Sequence, residues 1–307
     1  MKILFTGASS FTGFWFAKKL VEAGHEVHCT FTASSIDTYD DVRKLRSELL
    51  SNLTYNHFGI KFGDERFIAL IEKENFDLLC HHAAYVTNYK SPEFDVVHAV
   101  MENTNNCLKV LQTLLDKGCK KMLLTGSVFE GGEGRGTEPL LHFSPYGLSK
   151  SLSAQIFEYY TNKMQFGYGK FVIPNPFGPF EEKRFTAYLI NSWLKGEVPQ
   201  IGTPDYVRDN IPVTLLADYY VHFCENLREG EKKKLSPSGI CGSQGDFAGI
   251  VAREAGKRLE LPCDYTKKVQ TDFSEPMERL NLDKDLTIES YFDEQAFWDA
   301  FINFYRP

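Results

Sequence analysis

Near its start the chain reads Lys2-Ile3-Leu4-Phe5-Thr6-Gly7-Ala8-Ser9-Ser10-Phe11-Thr12-Gly13, and this stretch decides the fold. Lys2–Phe5 has the apolar run of a buried strand, and Phe14–Ala23 has helical periodicity that stops at Gly24. Between them Gly7 allows a tight strand-to-helix turn, and Gly13 lets the helix lie close to the sheet. The N–H groups at the start of such a helix carry partial positive charge. A strand, a glycine turn and an amphipathic helix in this order predict a pyrophosphate site built from Gly7, Ser9, Ser10, Phe11, Thr12 and Gly13.

The alternation continues outward from this turn. Strands are expected at Glu26–Phe31, His57–Phe62, Phe76–His81, Lys121–Thr125 and Lys170–Ile173. Helices are expected at Asp40–Leu50, Glu65–Glu74, Asp95–Lys117 (ending at Gly118) and Tyr146–Met164. Strands alternating with helices imply an α/β fold, a Rossmann-type doubly wound parallel sheet with right-handed crossovers. After Asn175 the pattern loosens: a helix at Phe180–Lys195, a strand at Val207–Val213, a helix at Leu215–Leu227, and a charged loop at Glu229–Lys234. Helices at Phe247–Leu259 and Asp293–Phe304 complete the chain. The expected division is a dinucleotide-binding domain of residues 1–174, with 205–228 returning to it, and a smaller C-terminal substrate-binding lobe of 175–204 and 229–307.

Composition excludes several partners. A chain of 307 residues with 43% hydrophobic and 24% charged residues is globular. Its net charge of −7 argues against nucleic acid or an anionic membrane as the main partner. Seven cysteines with no CxxC pair point to reduced thiols, neither a disulfide framework nor a metal site. No stretch approaches the roughly 18 apolar residues of a membrane span, and no basic and apolar leader precedes the first strand, so a cytoplasmic location is expected. The 25 phenylalanines, many of them in the latter half, read mainly as packing for the lobe.

An acidic residue after the second strand would hold the ribose 2′-hydroxyl of NAD. Here Cys29–Ser35 contains no Asp or Glu. Thr32, Ser34 and Ser35 offer hydroxyls to a 2′-phosphate, and Arg43, Lys44 or Arg46 could neutralise it, so NADP is preferred over NAD. Further along, Tyr146 and Lys150 stand four apart at a helix start that follows Ser144-Pro145, which places both on one face. A nearby ammonium stabilises a phenolate and lowers a tyrosine pKa from about 10, giving a usable acid or base. Ser127 lies nineteen residues before Tyr146, at the carboxyl edge of the sheet, where it can orient a substrate hydroxyl or carbonyl; Thr125 is the alternative.

Together these features resemble the extended short-chain dehydrogenase/reductase family, in particular its nucleotide-sugar epimerases, dehydratases and ketoreductases. The resemblance covers nearly the whole chain: the Thr6–Gly13 opening, Gly63-Asp64, Asp77–Ala84, Ser127 with Tyr146 and Lys150, Pro174–Pro179, and Val207-Arg208-Asp209 followed by Ile211–Val213. It implies that Tyr146 and Lys150 also meet the cofactor, that Asp64 meets the adenine, and that Ala83 lies against the cofactor. It further implies that Asn175 and Arg208 hold the diphosphate of a nucleotide-diphosphosugar, an Arg being suited to paired phosphate oxygens. The plainer alternatives are a helix cap for Asp64, a turn residue for Asn175, and strand-end packing for His81 and His82.

Three positions depart from the family pattern. Ser10 replaces a glycine, Val100 stands where an Asn is often found, and Val128-Phe129 follow Ser127 where dehydratases carry Asp-Glu. The last departure disfavours elimination of water. NADPH-dependent reduction of a 4-keto sugar is therefore the expected reaction, with NAD-dependent 4-epimerisation as the alternative. A non-catalytic dinucleotide sensor and reduction of a small neutral ketone are remoter options. The family also implies a homodimer through the helices around 95–117 and 146–164.

Overall fold

The glycine turn sits where the strand order of the main sheet reverses. The structure, a computed structural model, describes residues 1–306. The chain divides into two units. The first comprises residues 1–133, 141–173 and 217–235, and the second 134–140, 174–216 and 236–307. In the first unit, β1 (Lys2–Thr6), β2 (Glu26–Phe31), β3 (Tyr55–Phe58), β4 (Leu78–His81) and β5 (Lys121–Ser127) join the strands Gly167–Ile173 and Lys232–Leu235 in one seven-stranded sheet. All neighbours are parallel, in the order Lys232–Leu235, Gly167–Ile173, β5, β4, β1, β2, β3. Because β2 and β4 flank β1, the chain leaves β1 in both directions, and a crevice opens at the carboxyl ends of β1 and β4. The register aligns Thr6 with His81 and His81 with Leu124, so these ends lie level.

Among the helices that cross over between these strands are α1 (Phe11–Glu22), α2 (Asp41–Ser51), α3 (Glu65–Lys73), α4 (Val96–Asn103), α5 (Cys107–Asp116) and α6 (Pro145–Lys163). Ile68, Ile71, Val110, Leu111, Leu114 and Phe157 pack from these helices against Leu4, Leu79 and Met122 of the sheet. Strands buried on both faces read as continuous apolar runs, which is why their positions were legible.

The strand expected at His57–Phe62 is Tyr55–Phe58, the helix expected at Phe180–Lys195 is Phe185–Leu194, and two further elements differ more deeply. The helix predicted over Asp95–Lys117 is two helices, broken at Thr104-Asn105-Asn106, where Asn106 takes φ 49°. The carbonyl of Asn103 accepts from His81 Nε2, and Asn105 and Asn106 donate their amides to the carbonyls of Phe62 and Gly63. These tertiary bonds replace the helical ones. The second difference is Glu229–Lys234, predicted as a loop: Lys232–Leu235 is a strand, paired residue for residue with Tyr168–Phe171. Backbone hydrogen bonding to a neighbour supplied what its lysines did not signal.

The second unit carries a mixed sheet in the order Ile240–Ser243, Val207–Pro212, Glu278–Leu280, Arg135–Gly136, with Asn175–Phe177 also pairing Val207–Pro212. The pairing of Arg135–Gly136 with Arg279 and Leu280 brings 134–140 into this unit. The core of this unit is an aromatic cluster: Phe177, Phe247, Phe297, Trp298 and Phe301, drawn from one strand and two helices. Phe301 has no exposed surface and meets Phe177 and Tyr305 edge-on at 5.7 Å each, stacks on Phe297 at 5.8 Å and tilts against Trp298 at 6.0 Å between ring centroids. Replacing Phe301 by Ala is expected to destabilise the protein by about 3–5 kcal/mol in urea unfolding, and a loss below about 1 kcal/mol would contradict this packing.

Candidate active site

Gly7 takes φ +83°, and a Cβ there would stand 2.8 Å from the Ala83 nitrogen. A Cβ on Gly13 would meet the Gly7 carbonyl oxygen at 2.2 Å. Only glycine permits these approaches, and they shape a backbone-lined cradle at the start of α1, the concavity that a dinucleotide's diphosphate requires. Ser10 caps α1: its Oγ accepts from the Gly13 N–H at 3.2 Å and donates to the Gly7 carbonyl at 2.8 Å. Phe11 and Thr12 follow it, both buried.

Beside the turn, Ser9 is buried, and its Oγ accepts from Arg43 Nε and Nη2 at 3.1 and 3.0 Å. Arg43 comes from the exposed face of α2 and lies over the Tyr39 ring at 4.7 Å. The fully buried Arg46 donates to the Ser9 carbonyl at 3.0 Å. Thr32 and Ser34 are exposed just beyond β2. The nearest following carboxylate, Asp37, pairs with Lys44 at 3.0 Å.

The carboxyl ends of β1, β4 and β5 are joined by side chains. Thr6 Oγ1 accepts from the backbone N–H of His82 and Ala83 at 3.1 and 3.0 Å, which holds Ala83 at the floor of the crevice. The Thr6 hydroxyl then donates to His81 Nδ1 at 2.9 Å, and His81 Nε2–H donates to the Asn103 carbonyl at 3.0 Å. Burial drives the pKa of both His81 and His82 down to about 3, so both rings are neutral.

Ser127, at the end of β5, is buried, and its Oγ accepts from the Phe129 N–H at 3.2 Å. The fully buried Glu130 accepts from the Ser127 N–H through Oε1 at 2.8 Å and from Lys170 Nζ through Oε2 at 2.7 Å. Tyr146 and Lys150 stand on α6, which Ser144 caps and Pro145 opens. Tyr146 is half-buried, with Tyr89 and Phe94 edge-on to its ring at 5.4 and 6.0 Å. Lys150 is 6% exposed and donates to the Thr125 carbonyl at 2.6 Å. Burial lowers its pKa from 10.5 to about 8; Glu130 opposes the shift and Lys170 adds to it. The ammonium is therefore held close to the point where it loses its charge. Thr125, the alternative to Ser127, is almost wholly buried, and its hydroxyl meets His82 Nδ1 at 3.0 Å.

Asp64 caps α3, its two oxygens accepting from the N–H groups of Phe67 and Lys61 at 2.7 and 2.9 Å. In the second unit, Asn175 and Arg208 lie on paired strands. The Asn175 amide donates to the Asp209 carbonyl at 3.1 Å. Arg208 is 4% exposed, pairs with Glu275 at 2.8 Å and lies over the Tyr206 ring at 4.5 Å. Among the described residues no group of three or more His, Cys, Asp or Glu side chains is arranged to hold a metal ion. None of the described helices is long and apolar enough to cross a membrane.

Sequence reasoning missed three neighbours of this site: Glu130, Lys170 and Asn103. Glu130 and Lys170 frame Ser127 and Lys150 from a loop and a strand 40 residues apart, with no local signal. Asn103 is buried and joins Tyr85 N–H to Ser153 Oγ, a role that its position next to Thr104 could have suggested. His82, expected to pack at the strand end, is buried there and also meets Ser10, Thr12 and Thr125.

A tyrosine and a lysine one helical turn apart, beside a serine at a parallel sheet's carboxyl edge and a glycine phosphate turn, are the equipment of NAD(P)-dependent enzymes of the extended short-chain dehydrogenase/reductase type. Residues 3–236 match the NAD dependent epimerase/dehydratase family, and the chain belongs to that family. Among solved structures it is similar to UDP-glucose 4-epimerase from Thermotoga maritima with UDP-glucose (TM-score 0.74, 18% identity, 100% of this chain and 99% of that one). UDP-glucuronic acid 4-epimerase from Bacillus cereus, in complex with UDP-glucuronic acid and NAD, is similar at TM-score 0.73 and 18% identity, over 99% and 98% of the chains. The dTDP-glucose 4,6-dehydratase from Streptomyces venezuelae, with NAD bound, gives 0.74 and 17%, over 100% and 97%. At these identities the likeness is one of fold. No curated protein matches the chain.

The Lys150 environment yields a pH dependence. The ammonium is charged below about 8 and neutral above, so turnover that needs its charge falls on the alkaline side. A plot of log kcat/KM against pH is expected to descend with an apparent pKa near that value, and a flat profile to pH 10 in the wild-type protein would contradict it.

Proposed function

We propose that the enzyme is an NADPH-dependent reductase of a nucleotide-diphospho-4-keto sugar. The observation that carries this reading is the setting of Ser9, where the Arg43 fork reaches the phosphate turn while Cys29–Ser35 offers hydroxyls and no carboxylate. A 2′-phosphate placed beyond β2 would meet Thr32, Ser34 and the guanidinium of Arg43, a planar donor suited to phosphate oxygens.

The cofactor, when bound, supplies the hydride. Tyr146 delivers a proton to the carbonyl oxygen that becomes the sugar hydroxyl. Ser127 orients that oxygen, its Oγ fixed by the Phe129 N–H. Lys150 keeps a positive charge near the phenol while its Nζ is anchored on Thr125. Asn175 and Arg208 are the diphosphate ligands in this reading, with Arg208 held in an extended fork by Glu275 and two backbone carbonyls. Val128-Phe129 supply no acid and base pair for eliminating water. The functional unit is a homodimer through α4 and α6, where Val97, Met101 and Tyr159 are 71%, 66% and 61% exposed.

A second reading, NAD-dependent 4-epimerisation, is favoured by the epimerases among the similar structures, two of which are described with UDP-sugars. In that case Tyr146 first removes the hydroxyl proton and later returns it, and no net reduction occurs. A panel of sugar nucleotides and their 4-keto forms, followed by loss of NADPH absorbance and by product analysis, separates the two. Reduction is expected; interconversion of epimers without consumption of NADPH would overturn the primary reading.

Tyr146→Phe is expected to lower kcat by at least about 100-fold with cofactor affinity nearly unchanged; retained activity would refute the role. Arg43→Ala is expected to weaken NADPH about tenfold or more while leaving NADH little altered, a difference expected for loss of a charge-assisted bond, measured by fluorescence titration of both cofactors.

A further inference from the structure

Ser10, which replaces a glycine of the family pattern, belongs to one hydrogen-bonded unit with His82. The hydroxyl proton of Ser10 goes to the Gly7 carbonyl at 2.8 Å. Ser10 Oγ can therefore meet His82 Nε2, 3.1 Å away, only as an acceptor. That places the proton of the neutral ring on Nε2, which also faces Thr12 Oγ1 at 3.1 Å. Nδ1 is left with a lone pair, and it accepts the Thr125 hydroxyl at 3.0 Å. The ring lies 9% exposed, stacked on Phe5 at 5.8 Å and edge-on to Phe16 at 5.2 Å, so both nitrogens are cut off from water. Every polar atom of the ring has its partner, and each partner belongs to a functional segment: the phosphate turn on one side and, on the other, the residue whose carbonyl anchors Lys150 at 2.6 Å.

We propose that His82 is a positioning residue that ties the phosphate turn to the end of β5, and that Ser10 and His82 act as a single unit in shaping the cofactor site. With Ser10 Oγ turned inward to Gly7, Gly13 and His82, the serine occupies the turn without projecting into the cradle. An apolar side chain at position 82 would pack against Phe5 and Phe16 but would release Ser10, Thr12 and Thr125 together. This inference rests on the dinucleotide-binding part of the function proposed above and does not depend on which sugar is reduced.

The test is a double-mutant cycle read by cofactor binding. Dissociation constants for NADPH and NADH are measured by fluorescence titration for wild type, His82→Leu, Ser10→Gly and the double variant, with melting temperatures recorded alongside. Glycine is chosen at position 10 because it is itself a fair helix N-cap, so loss of the Gly13 cap costs little, and the coupling between the two sites reports the bond they share. Each single variant is expected to weaken the preferred cofactor about tenfold, as loss of a buried hydrogen bond does. The double variant is expected to be no weaker than the poorer single, because the shared bond can be lost only once. Losses that multiply in the double variant would overturn the unit. Unchanged dissociation constants in His82→Leu, whatever its melting temperature, would reduce the histidine to core packing and overturn the proposal. His82→Gln, which keeps a donor and an acceptor, is expected to recover part of the affinity lost in His82→Leu; equal loss in both counts against it. A wild type that binds neither dinucleotide would overturn the cofactor reading itself, and this outcome is distinct from a wild type that binds and variants that bind equally well.

Discussion

Everything at the carboxyl edge of the main sheet depends on one approach of backbone to backbone. Gly7 passes so close to Ala83 that a single added carbon would stand 2.8 Å from its nitrogen, and Gly13 lies closer still to the Gly7 carbonyl. The turn after β1 is thereby pressed against the end of β4 at the place where the strand order reverses. A larger residue at position 7 would push the two strand ends apart, and with them Thr6, whose hydroxyl holds the backbone of both His82 and Ala83. The crevice is thus defined by main-chain atoms before any side chain contributes to it.

Around this contact the protein buries an unusual amount of polarity while keeping most of it neutral. Two imidazoles and three hydroxyl groups lie at the ends of three adjacent strands, and their donors and acceptors are matched in a series that runs from Thr6 to Lys150 of α6. Burial makes an unmatched group costly, so such a network holds its members in one arrangement. Charge enters through Lys150 and through Lys170, which pairs with both Glu130 and Glu133. The carboxylate of Glu130 favours the Lys150 ammonium, while Lys170 and burial oppose it. The balance leaves a cation that is present at neutral pH but weakly held, one helical turn from Tyr146.

The parts of this arrangement that were legible in the sequence are those set by local rules. Parallel strands buried on both faces announced themselves as apolar runs, and the glycine turn and the Tyr146–Lys150 spacing follow from strand and helix periods. The parts that were not legible depend on partners distant in sequence. The break after Asn103 occurs because His81 and the loop at Phe62-Gly63 take over hydrogen bonds that a helix would have made. Glu130 sits in a glycine-rich loop that looks solvated, yet it is buried, with the Ser127 N–H and Lys170, from a strand beyond it, on its carboxylate. Arg43 was one of three basic candidates, and only the fold of α2 brings it, and not Lys44, to Ser9. The hydroxyl count after β2 was plain, but the direction of each side chain was not.

The strand Lys232–Leu235 forms one border of the main sheet, and its three lysines are all exposed. They are balanced by Glu158, Glu231 and Glu133, each contributed by this same chain. The opposite border, β3, is only four residues long. A growing ribbon assembled from identical copies would have to lay one lysine row against another and strip each from its glutamate, or begin from a border too short to hold it. The sheet therefore ends where the chain ends it, and a fold rich in phenylalanine stays protected against adding strands from its own kind.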